Sequence, residues 1–136
     1  MFLGAWYLPI GVVLHSIVIL SGNPQAYAGI AEGSFLPVYQ VFFAGIVPQN
    51  IVLWATLAAV FELVVGVLIF SSGRAAKLGL LLSLVFQIFL IPMGAWGVIN
   101  VLLVVISAML LQNNYDKNMV TVLGNWWRGR QLVEPA

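Results

Sequence analysis

Cysteine is absent from this chain, and charge is nearly absent too: four Asp or Glu and five Lys or Arg, 7% of 136 residues. The first absence excludes disulfides, thiolate nucleophiles, CxxC redox chemistry and thiolate metal sites. The second excludes an ordinary water-facing surface, because soluble domains carry roughly 25% charge. No dense basic patch occurs, so nucleic acid is not an expected partner. A Gly-rich phosphate loop, a GxSxG nucleophile turn and an HExxH helix are all missing. One His and one Glu make an incomplete ligand set, so no metal is expected. The residues leave open whether the chain is an enzyme.

Apolar residues make up 62% of the sequence. They fall in runs close to the roughly 20 residues that a helix needs to cross a bilayer. The fold class this predicts is all-α: an integral membrane four-helix bundle, with residues 1–136 as one membrane domain. Unbroken apolar runs argue against a β-barrel, which needs alternation. The lack of polar stripes argues against a soluble bundle. Helices are expected at about 2–20, 51–70, 75–91 and 96–112. Residues 21–50 form a long outer connection, expected as a loop with a short helical or interfacial piece, and 113–136 form a cytoplasmic tail. Gly22 and Pro24 break the first run. The start, MFLGAWYLPIGVV, has no basic n-region and reads as a retained first helix. Residues 78–111 would span roughly 50 Å as one helix, against a hydrocarbon core of ~30 Å. Pro92, Gly94 and Gly97 divide that run.

Charge placement supports four crossings. Arg74, Lys77, Lys117, Arg128 and Arg130 are all the basic residues. Four crossings put them on one side, in the 71–77 turn and the tail. The positive-inside rule then places both termini in the cytoplasm. Arg74 and Lys77 serve as interfacial anchors, as do Trp126, Trp127 and Arg128. Trp6, Trp54 and Trp96 fit an aromatic belt near helix ends. Membrane lipid is therefore an expected partner.

Each expected crossing carries one conspicuous polar residue: His15, Glu62, Gln87 and Asn100. Counting from the helix midpoints at 1.5 Å per residue puts Glu62 near the midplane and the other three roughly 5 to 6 Å outward. The same count leaves His15 and Glu62 offset by about 8 Å. Small residues share the polar faces and suit close helix packing: Gly11 before His15, Ala58 and Gly66 around Glu62, Ala75, Gly79 and Ser83 before Gln87, and Ala108 after Asn100. An ionised Glu facing lipid would cost at least a few kcal/mol. Glu62 must then be neutral, paired, hydrated or hydrogen-bonded. His15 is the one cationic candidate inside, with Gln87 and Asn100 as further partners. Two readings stand open: a network that sets helix register, and a proton or ligand site, where Gln and Asn donate to a carbonyl such as a quinone oxygen. In the connection, Gln49 and Asn50 are placed to cap the second helix. Tyr27, Glu32 and FLPVYQVFFAGI are expected at a packing interface.

The stretch FELVVGVLIFSSGRAAKLGLLLSLVFQI, with Glu62, Gly66, Gly73, Arg74, Ala75 and Gly79 and the later Asn100, resembles the DoxX-like family of small four-helix membrane proteins. The resemblance covers roughly residues 52–111; the first 50 residues depart from the family pattern. It implies a bundle in a prokaryotic cytoplasmic (inner) membrane. It also implies an association with thiosulfate:quinone oxidoreduction, terminal oxidases or other redox complexes, with Glu62 and Asn100 at the polar sites. Without cysteine, a thiol-based form of that role is excluded, while quinone binding is not. The expectation is a small accessory subunit of a larger membrane, respiratory complex, with no intrinsic cofactor and quinone as the candidate ligand. A quinone-binding oxidoreductase component and a small proton-coupled transporter are the alternatives.

Overall fold

The computed structural model describes residues 6–115 and residue 121. The chain is an all-α bundle. A π-helical turn (Trp6–Gly11) leads into α1 (Val12–Ser21), which Gly22 stops in the left-handed conformation at φ 58°, its N–H bonded to the Val18 carbonyl. Two short helices follow, α2 (Ala28–Gly33) and α3 (Pro37–Val41). A π turn (Phe42–Ile46) and a 3₁₀ turn (Val47–Asn50) join α3 to α4 (Ile51–Phe70). After Ser71 and Ser72 comes α5 (Gly73–Leu90), and after a bend at 91–94 comes α6 (Ala95–Leu111). α1 packs on α4, α4 on α5 and α5 on α6.

The connection is far more helical than a loop. Helical turns follow one another from Pro37 to Phe70, 34 residues, with a bend at Asn50, whose φ −143° and ψ 54° are not helical. Asn50 makes no side-chain cap on α4. Gln49 instead donates backward to the Gly45 carbonyl at 2.8 Å. Pro37–Phe70 and Gly73–Leu90 are the described helices long and apolar enough to cross a membrane, and Val12–Ser21 is a shorter apolar helix. At 17 residues, α6 is about 25 Å long.

The connection folds over one end of the bundle. Ala31, Phe43 and Val47 bury against Ile51 and Met93. Gly94, at φ 69°, lies so close to the Gly33 carbonyl that any Cβ there would overlap it. The Phe35 N–H bonds to the Pro92 carbonyl at 3.3 Å. At the opposite end, Leu80 and Leu103 make a second apolar cluster with Ile69, Ile106 and Leu110, and the Gly73 N–H bonds to the Tyr115 carbonyl at 2.6 Å.

Along α5, polar side chains face inward while large apolar ones face outward. Buried positions on α5 are Ala76, Gly79, Leu80, Ser83 and Gln87. Leu78, Leu81, Val85, Ile88 and Phe89 of the same helix are exposed. Gly79 lets α5 approach α4, since a Cβ there would sit 2.7 Å from the Ile69 nitrogen. A Cβ on Gly66 would sit 2.6 Å from Leu8. On α6 the buried face is Asn100, Leu103 and Ser107, and Ala108 points outward. On α5 the fully buried alanine is Ala76, with Ala75 half-buried. Arg74 and Lys77 are both exposed. Lys117, Trp126, Trp127, Arg128 and Arg130 lie outside the described residues.

Candidate functional site

The polar residues expected in one layer form two groups. The first begins on α1. His15 Nε2 stands 3.3 Å from Glu62 Oε2 on α4, an ion-pair distance. Oε2 accepts no aligned hydrogen bond among the described residues. The two residues are in contact, which corrects the 8 Å offset expected from sequence. Gly11, one turn before His15, makes the approach possible: a Cβ there would overlap the Glu62 carboxyl. The backbone of α1 is thus seated directly on the carboxyl group.

The other ring nitrogen, His15 Nδ1, lies 2.5 Å from the Tyr27 hydroxyl. Gly22 ends α1 and the turn at 24–27 reverses the chain, so Tyr27 folds back over the helix it has just left. Burial, and then the negative field of Glu62, push the Tyr27 phenol up to about 12. It therefore keeps its hydrogen at neutral pH, and which partner donates across the Tyr27–His15 contact follows the imidazole tautomer. Tyr27, His15 and Glu62 form a chain of three proton-exchanging groups. Sequence reasoning assigned Tyr27 to interface packing and missed this contact. The signal available was the short SGNPQAY turn, which leaves Tyr27 no distance to travel from the end of α1.

The second group is enclosed. Gln87 donates to the Tyr7 hydroxyl at 2.7 Å, Tyr7 meets Ser83 at 3.0 Å, and Ser83 meets Ser107 at 3.3 Å. These four side chains come from three helical segments, the π turn, α5 and α6, and are almost wholly buried. Gln87 is therefore not a partner of Glu62. Its Oε1 is buried without a hydrogen bond among the described residues. Tyr7 and Ser107 were not singled out from sequence, where each sits inside an apolar run.

The first group borders a cavity of about 700 Å³. Gly11, Ala58, Glu62, His15, Tyr27 and Asn100 all line it. Asn100 is buried and donates to the Leu90 carbonyl at 3.3 Å, rather than to Glu62. The remaining wall is apolar and strongly aromatic. Phe42 meets Trp54 edge-on at 5.0 Å and Phe43 at 5.1 Å, and Phe86 packs on Phe61 at 4.8 Å. Trp54 is thus part of the cavity wall as well as near a helix end. The rim includes Leu14, Ile17, Leu57, Phe89 and Ile99, all exposed, so the cavity reaches the apolar outer surface. Its volume is in the range of small-molecule sites, roughly 300–1,000 Å³.

Among the described residues, no group of three or more His, Cys, Asp or Glu converges on a point that would hold a metal. No family model, curated protein or solved structure matches the chain. What the site does must be argued from its own chemistry.

Proposed function

We propose that this chain is a four-crossing integral membrane protein whose cavity holds a lipophilic, quinone-type molecule. It acts as the ligand-binding small subunit of a larger membrane redox complex. The cavity carries the proposal: an aromatic and aliphatic chamber of about 700 Å³ with a Tyr27–His15–Glu62 chain on its wall. A planar ring packs well against aromatic walls. An isoprenoid-like tail suits the exposed rim of Leu14, Ile17 and Leu57. The proton-exchanging chain suits a head group that gains or loses hydrogen.

Placement in a membrane draws support from the inverted arrangement of α5, with serine and glutamine inside and leucine, valine and phenylalanine outside. In water each such exposed side chain would forgo roughly 1.5–3 kcal/mol of burial; in lipid it would not. The positive-inside rule favours both termini on the cytoplasmic side, and the resemblance to the DoxX-like family implies a prokaryotic cytoplasmic membrane. α1 and α6 are short for crossings, and a locally thinner bilayer accommodates them.

The test is purification from the source membrane in mild detergent, followed by native mass spectrometry and organic extraction. The expected result is a quinone-type molecule in the extract and a larger stoichiometric partner. Ala58→Phe, which fills the cavity, should lose the extractable ligand while the protein remains folded. A clean monomer with an empty extract that also fails to take up an added decyl-benzoquinone or its quinol would overturn the assignment.

A further inference from the structure

The chamber is closed more firmly at its ends than along its sides. Below Gly11 and Phe86 stand Tyr7, Ser83, Gln87 and Ser107, all but fully buried. At the other end the connection is tied down. Ala31, Phe43 and Val47 bury against Ile51 and Met93, the Phe35 N–H bonds to the Pro92 carbonyl, and Gly33 lies against Gly94. Along the sides, α4 packs on both α1 and α5, and α5 packs on both α4 and α6. Among the described residues, α1 does not pack along α6. None of the residues of α1 is buried, although the helix is apolar apart from His15, Ser16 and Ser21. Both flanks of this gap line the chamber and remain exposed: Leu14 at 55% and Ile17 at 58% on α1, and Ile99 at 39% on α6.

Resting on the lipophilic ligand proposed above, we infer that the gap between α1 and α6 is a lateral portal, through which the ligand passes between bilayer and chamber without crossing water. Leucine and isoleucine flanks are disfavoured against water and lose nothing against acyl chains or an isoprenoid-like tail. His15 and Asn100 follow Leu14 and Ile99 directly in the chain and also line the chamber. A head group entering here therefore meets a polar side chain from each helix. Ala26 and Gly29, exposed lining residues on the connection, mark the competing route from the aqueous side. Leu57 and Phe89 are exposed too, but they belong to α4 and α5, which pack on two neighbours each.

The chain has no cysteine, so one introduced thiol is unique. Leu14→Cys, Ile99→Cys, Gly29→Cys, Leu57→Cys and, as the outward-facing control, Val85→Cys are each modified in detergent with a methyl or a bulky alkyl thiosulfonate. Intact mass verifies the modification, and the protein is then reconstituted in liposomes. Uptake and release of decyl-benzoquinone are followed by stopped-flow tryptophan quenching, with Trp54→Phe as the control for signal from the chamber. The bulky adduct at position 14 or 99 is expected to slow uptake and release alike, by about ten-fold against the methyl adduct, as a barrier on the path does. At position 85 it should change neither. An adduct that only crowded the bound ligand would speed release. Each comparison sets two adducts of one folded variant side by side, and positions 14 and 99 test the portal independently. Greater slowing at 29 or 57, no slowing at 14 and 99, or faster release at both, overturns the portal and leaves the ligand class intact. Failure of the unaltered protein to take up the quinone overturns the ligand class itself.

Discussion

Two polar groups lie within the same bundle, and they obey different rules. Tyr7, Ser83, Gln87 and Ser107 lie in a closed interior where three hydrogen bonds link three helical segments. Tyr27, His15 and Glu62 border a chamber that reaches the outer surface. The enclosed group joins helices with neutral side chains and presents nothing to a visitor. The cavity group contains the ionisable pair and leaves a carboxyl oxygen without an aligned donor. Gln87 Oε1 in the enclosed group is likewise buried without a hydrogen bond among the described residues; what sets the other group apart is an ionisable pair on a cavity wall, which suits a ligand.

The sharpest way to separate the two groups is to damage each and follow both stability and binding. Ser83→Leu should be the most disruptive change. It forces a branched chain into a site with no exposure and breaks the links to Tyr7 and Ser107, for a loss of about 3 kcal/mol. Denaturant or thermal unfolding in detergent would show it, with ligand affinity per folded molecule unchanged. Glu62→Gln should do the opposite. Ligand affinity drops about ten-fold or more, equivalent to about 1.4 kcal/mol, while the unfolding midpoint barely moves. Tyr27→Phe comes next, with about 1 kcal/mol lost in stability and a loss of a few-fold in ligand affinity as His15 Nδ1 loses its partner. Imidazole NMR would report the change at Nδ1 directly. Gln87→Leu is the mildest. It removes one donor to Tyr7, but Ser83 still serves that hydroxyl and the unpartnered Oε1 disappears as well, so unfolding should shift by less than about 1 kcal/mol. If Gln87→Leu abolished ligand binding, the division into two groups would be wrong.

Ultraviolet titration of tyrosine gives a check without mutation. The Tyr27 phenol is raised from its ordinary 10.0 to about 12 in the folded protein. A raised folded-state value means that the associated stability is complete below about 10 and is lost as pH rises through about 12. One tyrosine should therefore titrate late, and Tyr27→Phe should remove that step.

Much of the helical framework is visible in the residues themselves. Gly22 with Pro24, the Ser-Ser-Gly of 71–73 and the Pro-Met-Gly of 92–94 are strong local breakers, and the helices end beside them. The long apolar run before Ser71 needs no tertiary context to be read as a helix. Residues 37–50 are harder, because Pro48 and Gly45 look like loop signals. Pro48 falls in the first turn of a 3₁₀ segment, where its missing N–H costs little. The pairing of His15 with Glu62 could be suspected from their types, yet not their distance. Depths counted along ideal straight helices ignore the π turn at 6–11 and the close approach that Gly11 allows. Tyr27, Tyr7 and Ser107 were hidden for a different reason. Their partners lie on other segments, and no spacing along the chain encodes which faces will meet.

The bend that Asn50 puts into the run from Pro37 to Phe70 has a consequence for lipid composition. The run bends at Asn50, bringing Phe42 back to Trp54 at 5.0 Å, so α4 alone, 20 residues or about 30 Å long, is matched to a hydrocarbon core of ~30 Å. In a bilayer, the segment bearing Phe42, Phe43 and Trp54 then stands near the headgroup boundary, and the chamber mouth stands with it. Acyl-chain length would set whether that mouth opens among tails or among glycerol backbones. Membrane thickness becomes a control on ligand entry, acting without a change in any residue of the protein.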